Sequence, residues 1–194
     1  MEKRVVKACM VVLAALLLSG CMGLFLGGTA VGVGVVHDRR STGKIVDDQT
    51  IELKLYNRLN EKLPPGNRIS ITSYNGSVLL TGEAVSARVR RQAEQVVRDF
   101  REPEVQRVHN ELVIGAPRSL SDQSKDALIT TKVKAALFRI NNLPDFDPSR
   151  VKVVTARGVV YLMGLVRPAE SVATAQVASL VGGVRRVVLL FEQI

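Results

Sequence analysis

A chain of 194 residues with two cysteines and a formal net charge of +9 is long enough for one domain or two small ones. Both cysteines, Cys9 and Cys21, lie near the N-terminus, where the first leaves with a cleaved segment and the second is consumed by lipid. A disulfide scaffold, a cysteine metal cluster and a catalytic cysteine are thereby excluded.

Residues 1–20 read as a lipoprotein signal peptide. Lys3, Arg4 and Lys7 precede an apolar run from Ala8 to Leu18, and Leu18-Ser19-Gly20-Cys21 follows. A basic start, a short apolar core and small residues at the cut are the parts of an export signal. The last four residues resemble a lipobox, which makes Cys21 the lipidation site, its thiol taking a diacylglyceryl group. A spanning helix running on to Val36 is long enough, but six glycines from Gly20 to Gly34 disfavour it. Met22 after the cysteine, rather than Asp, favours the outer membrane. Loss of residues 1–20 leaves a charge near +7. In a cytosolic protein that would suggest nucleic acid. In an exported one it points to anionic headgroups or acidic envelope polymers, with no nucleic-acid partner.

Residues 21–46 are expected to be the lipidated cysteine and a flexible tether. Met22 to Val36 is apolar and glycine-rich without periodicity, and His37 to Lys44 is polar. Asp47-Asp48 is then expected to cap the first helix.

The remainder is one unit written twice. In the first copy Asp48-Gln49 opens a helix, Ile69 and Ile71 mark a strand, and Asn75-Gly76 a turn. Val78-Leu79-Leu80-Thr81-Gly82 follows, then a helix, then a strand over Val105 to Val108. In the second, Asp122-Gln123 opens, Val151 and Val153 mark a strand, and Arg157-Gly158 turns. Val159 to Gly164 follows, then a helix, then Val184 to Val187. Pairing Asp48 with Asp122 sets the copies 74 residues apart at the start, 82 at the hairpin and 79 at the last strand. Glycine at a fixed turn position has a steric reason, because tight hairpin turns need φ > 0. Each unit therefore reads helix, strand, strand, helix, strand, an α+β class, with units expected over residues 47–116 and 121–194.

This pattern resembles the BON domain. The matching features are Asn/Arg-Gly-x-Val-x-Leu-x-Gly, an Ala- and Val-rich helix, and Val105-x-x-Val108-x-Asn110-x-Leu112. The second copy keeps Gly183 before its last strand where the first has Glu104, and has Leu189 in place of the asparagine. With lipobox and tether, the architecture is similar to that of the dual-BON outer-membrane lipoproteins. The resemblance implies an αββαβ fold, binding of anionic phospholipid through the second copy and support of outer-membrane integrity. It also implies an association with the β-barrel assembly machinery, and no cofactor.

The residues themselves offer a lipid surface in the first helix of the second copy. Ile129, Val133, Ala136, Leu137 and Ile140 form its core stripe. The opposite face carries Leu128, Thr131, Ala135 and Phe138, bordered by Lys132 and Arg139 on one side and Lys134 on the other. Exposed apolar side chains rimmed by cations suit an interfacial helix. The alternative packs Phe138 under the following loop, beside Leu143 or Phe146. The same face of the first copy holds Leu53, Lys54, Asn57, Asn60 and Glu61 and is not expected to insert. A second basic contact is offered by Arg88, Arg91 and Arg98, which read equally as a solvated helix face. No catalytic or metal residues are nominated: His37 and His109 have no partner by spacing, and no HExxH, phosphate loop or nucleophile elbow is present. The alternative to a lipid-binding protein is a periplasmic scaffold that captures envelope proteins, with lipid contact incidental.

Overall fold

The computed structural model describes residues 38–194; the signal peptide, Cys21 and most of the tether lie outside the described residues. The first module is α1 (Thr42–Lys62), β1 (Arg68–Tyr74), β2 (Ser77–Ala84), α2 (Ala87–Arg98), β3 (Arg107–Asn110) and a short β4 (Val113–Ile114). The second is α3 (Leu120–Leu137), a 3-10 turn (Pro148–Arg150), β5 (Lys152–Ala156), β6 (Val159–Val166), α4 (Pro168–Ser179) and β7 (Arg186–Gln193). Both are αββαβ units, β4 being the one addition.

The first helix corrects two expectations. Its N-cap is Ser41, whose hydroxyl accepts from the Lys44 amide, so helix begins ahead of Asp47-Asp48. Likewise α3 starts at Leu120 behind Ser119, and Asp122 sits in its first turn. Ser41 and Ser119 are 78 residues apart. The same offset pairs the buried stripe Ile51, Leu55 and Leu59 with Ile129, Val133 and Leu137. Asp48 therefore corresponds to Asp126, one helical turn beyond Asp122.

Both hairpins turn on two residues with positive φ: Asn75 (51°) with Gly76 (75°), and Arg157 (55°) with Gly158 (72°). That is the backbone a two-residue turn needs to follow the strand twist. A helix then carries the chain across so that β3 lies parallel to β2, and β7 to β6. Both last strands begin two residues later than expected. The glycine ending each strand motif is needed for close approach. A Cβ on Gly82, at φ +112°, would lie 2.0 Å from the Arg68 carbonyl oxygen, and one on Gly164 would lie 2.7 Å from that of Arg150.

Each sheet buries one face under its own helices. In the first module Val78 and Leu80 meet Leu55, Val97 and Phe100; in the second Val160 and Leu162 meet Val133, Leu137 and Ala178. The other faces of the two sheets share a third cluster, in which Tyr74 and Leu79 of the first module pack with Tyr161, Met163 and Leu165 of the second. At about 1.5–3 kcal/mol per fully buried large side chain, this cluster is a substantial part of what joins the modules.

Candidate functional site

Between α3 and α4 the second module leaves an open groove of about 760 Å³. Its floor is made by Ala135, Ala136, Ala173 and Val177, with Lys132 and Arg139 on one lip and Leu180 at the far end. Small side chains at a helix crossing cannot fill the space between two ridges. In the first module the corresponding places are filled. Arg58 stands at the position of Ala136 and lies over the Phe100 ring, 4.8 Å from its centre. Gln92 stands at that of Ala173 and donates to the Lys62 carbonyl at 3.0 Å.

Of the nominated lipid contacts, Lys132, Ala135 and Arg139 line this groove. Leu128 and Phe138 project from the same helix, 54% and 71% exposed. Lys134 lies on the opposite flank of α3, exposed and away from the groove. The loop after α3 does not cover Phe138: Phe146 and Ile140 turn into the module core instead. The second wall of the groove was missed in the sequence. It is formed by Ala173, Gln176, Val177 and Leu180 of the α4 region, with Leu180 80% exposed, and a large apolar residue directly after a helix of small side chains was the available signal.

The second basic set divides. Arg98 is engaged by Glu94 one turn earlier, at 2.6 Å, which also holds the Glu94 carboxyl below its usual pKa. Arg88 and Arg91 project from α2 with no acid partner among the described residues.

Two buried aspartates organise the modules. Asp48 accepts from the Asn75 and Gly76 amides at 2.7 and 2.9 Å, from the Ser73 hydroxyl at 2.6 Å and from Arg40 at 2.8 Å. Asp126 accepts from the Arg157 and Gly158 amides, both at 2.8 Å, and from Arg118 at 2.5 Å. Each helix thus holds the turn of its own hairpin through a carboxylate, and each aspartate is paired with an arginine just ahead of the helix. Burial pushes the Asp126 pKa up, but Arg118 and the two amides outweigh it, and the net direction is down.

The same leading segments tie the modules together. Arg118 also donates to Glu83 of the first module at 2.9 Å, and Glu83 is 2% exposed. Arg39 reaches into the second module, to both oxygens of Glu170 at 2.5 and 2.7 Å and to the Leu165 carbonyl at 2.8 Å. That bidentate pair lowers the Glu170 pKa and raises that of Arg39.

Among the described residues no group of three or more His, Cys, Asp or Glu side chains could hold a metal ion. His109 lies half-buried in β3, its pKa lowered by burial and by Arg107. Among those residues, too, no helix is long and apolar enough to cross a membrane.

Two αββαβ units in tandem, each with a glycine hairpin locked by a helix aspartate, define a two-domain α+β architecture. A model of the BON domain matches residues 47–116 and again 125–193, and the chain belongs to that family. It is similar to the Outer membrane lipoprotein DolP of Haemophilus influenzae, 34% identical over 181 residues that cover 92% of this chain and 91% of that protein. It is also similar to the 21 kDa hemolysin of Actinobacillus pleuropneumoniae, 31% identical over 159 residues covering 81% and 79%. The chain is a lipid-anchored outer-membrane lipoprotein. Among solved structures, CdsD of the Chlamydia trachomatis type III secretion system overlays with a TM-score of 0.31 and 10% identity, covering 73% of this chain and 91% of that one.

Proposed function

We propose that the second module binds anionic phospholipid, so that the lipoprotein grips a membrane through both its anchor and a folded surface and supports outer-membrane integrity. The observation that carries this reading is the groove between α3 and α4, cationic on one lip and flanked by exposed Leu128, Phe138 and Leu180. In this arrangement the apolar side chains enter the acyl boundary while Lys132 and Arg139 stay with phosphate. Burial of each large side chain contributes roughly 1.5–3 kcal/mol, and each cation near an anionic surface about 1 kcal/mol. Part of this is lost to ordering, so binding is weak and salt-sensitive. It becomes effective because lipid on Cys21 holds the module at high local concentration. The role is recognition rather than catalysis.

A scaffold role, with envelope proteins such as the β-barrel assembly machinery as partners, is favoured by one feature of the first module. Val46, Leu53 and Tyr56 of α1 are 56%, 65% and 56% exposed and fall on one helix face, a surface suited to a protein partner.

Vesicle binding by residues 38–194, with and without anionic lipid at low and high salt, tests the lipid reading. Saturable binding to anionic vesicles only, weakened by salt and lost in Leu128→Glu/Phe138→Glu, is the expected result. Absence of binding to either vesicle would overturn it and leave the scaffold.

A further inference from the structure

One contact between the two modules, at the ends of the last strands, lacks its counterpart. Glu192 on β7 of the second module accepts from Asn75 at 3.0 Å and from Arg107 at 2.7 Å, both in the first module. Exchanging the modules turns each participant into its equivalent. Asn75 becomes Arg157, the first residue of the other hairpin turn. Arg107 becomes Arg186, since each opens the ladder of its last strand, opposite Ser77 and Val159. Glu192, opposite Leu165, becomes Val113, opposite Glu83. In this half of the interface the carboxylate is replaced by a valine, while the cationic side has grown: Arg157 stands for an asparagine, and Arg185 for Gln106.

The result is a cleft of about 420 Å³ lined by Arg157, Arg185, Arg186, Val113, Tyr161 and Glu111. Two acids bear on it and leave two of its arginines without a carboxylate. Glu83 reaches Arg157 at 3.3 Å but is held by Arg118 at 2.9 Å. Glu111 accepts from the Tyr161 hydroxyl at 3.3 Å. Arg185 donates to the Arg157 carbonyl at 3.4 Å, and neither it nor Arg186 pairs with a carboxylate among the described residues.

We infer that this cleft is an anion site for a phosphate-bearing group, seated where the carboxylate of Glu192 sits in the other half of the interface. Two arginines without a carboxylate partner, Arg185 and Arg186, line the cleft beside Arg157 and favour an anion rich in acceptor oxygens. A tetrahedral phosphate dianion carries more charge and more acceptor oxygens than a carboxylate, and its geometry suits the planar forks of arginine. A phosphomonoester headgroup and soluble phosphate share this chemistry. The cleft lies between the modules and shares no lining residue with the groove between α3 and α4, so it stands independently of the lipid reading.

The test is calorimetric titration of the full lipidated chain, held in neutral-lipid vesicles, with inorganic phosphate. Saturable binding is expected, weakened about tenfold or more in Arg186→Gln. It should be abolished in Val113→Glu, which supplies the absent carboxylate and should melt no lower than the parent. Arg107→Gln, in the occupied half, should leave phosphate affinity unchanged. Doping the vesicles with phosphatidate separates the sources. A fall in phosphate affinity assigns the site to a headgroup, and an unchanged affinity assigns it to soluble phosphate; both support the site. Absence of saturable binding, or binding equal in the parent, Arg186→Gln and Val113→Glu, would overturn the inference.

Discussion

Replacing Asp126 with alanine should unfold the second module far more readily than its place on a helix suggests. The carboxylate accepts from the Arg157 and Gly158 amides at 2.8 Å and from Arg118 at 2.5 Å, and Gly158 is buried. Alanine removes the acceptor from two backbone donors, at about 1–3 kcal/mol for each buried group left unsatisfied. Arg118 retains Glu83, so the full penalty of an orphaned buried charge, about 3–5 kcal/mol, is not reached. The sum is a loss of roughly 3–5 kcal/mol, a large share of the stability of an ordinary domain. At about 2–4 °C per kcal/mol for a chain of this size, the melting temperature should fall by roughly 10 °C. Urea and thermal unfolding followed by circular dichroism measure both quantities. Asp48→Ala should behave alike, because it removes the acceptor of the Asn75 and Gly76 amides. Asp122→Ala, at an exposed helix start, should leave the midpoint where it was. A loss below about 1 kcal/mol for Asp126→Ala, within the range of ordinary surface substitutions, would refute the assignment of the turn lock.

Acid should weaken the fold through Asp126 and Glu170. Both pKa values are depressed in the folded state, so their contribution is present above the unfolded carboxylate range and is lost as pH falls below about 4; Arg39→Met should flatten the acid limb of an unfolding curve. Gly82→Ala should cost at least about 3 kcal/mol, because a Cβ there meets the Arg68 carbonyl at 2.0 Å with φ at +112°; chemical denaturation reads it. Ala136→Met with Ala173→Gln fills the groove without adding a charge, and anionic-vesicle binding should fall several-fold in co-sedimentation while the melting temperature holds.

The hairpins were legible in the sequence because a two-residue turn with positive φ leaves its mark on residue choice: Asn75-Gly76 and Arg157-Gly158 set the repeat at an offset of 82. The helix register was harder, since Asp48 and Asp122 both stand where a cap would precede an apolar stripe. What separates them is position on the stripe itself. Asp48 lies three residues before Ile51 on the buried face, and Asp126 three before Ile129. A carboxylate on an apolar face is costly unless partnered, so an acid at that spacing, followed by a glycine turn, announces a buried lock rather than a cap. The exposed apolar side of α3 was readable from Leu128, Phe138 and the flanking cations. Its groove was not, because a groove depends on what the neighbouring helix leaves out, and the alanines of α3 and α4 become a void only when they meet. The cleft at Arg157, Arg185 and Arg186 lay further out of reach. Val184-Arg185-Arg186-Val187 is visible as a repeat of Val105-Gln106-Arg107-Val108, yet its meaning rests on Val113 standing where symmetry calls for an acid. Residues that act across a domain interface carry no periodicity of their own, so the repeat is legible one strand at a time and its departures become informative only once the two copies face each other.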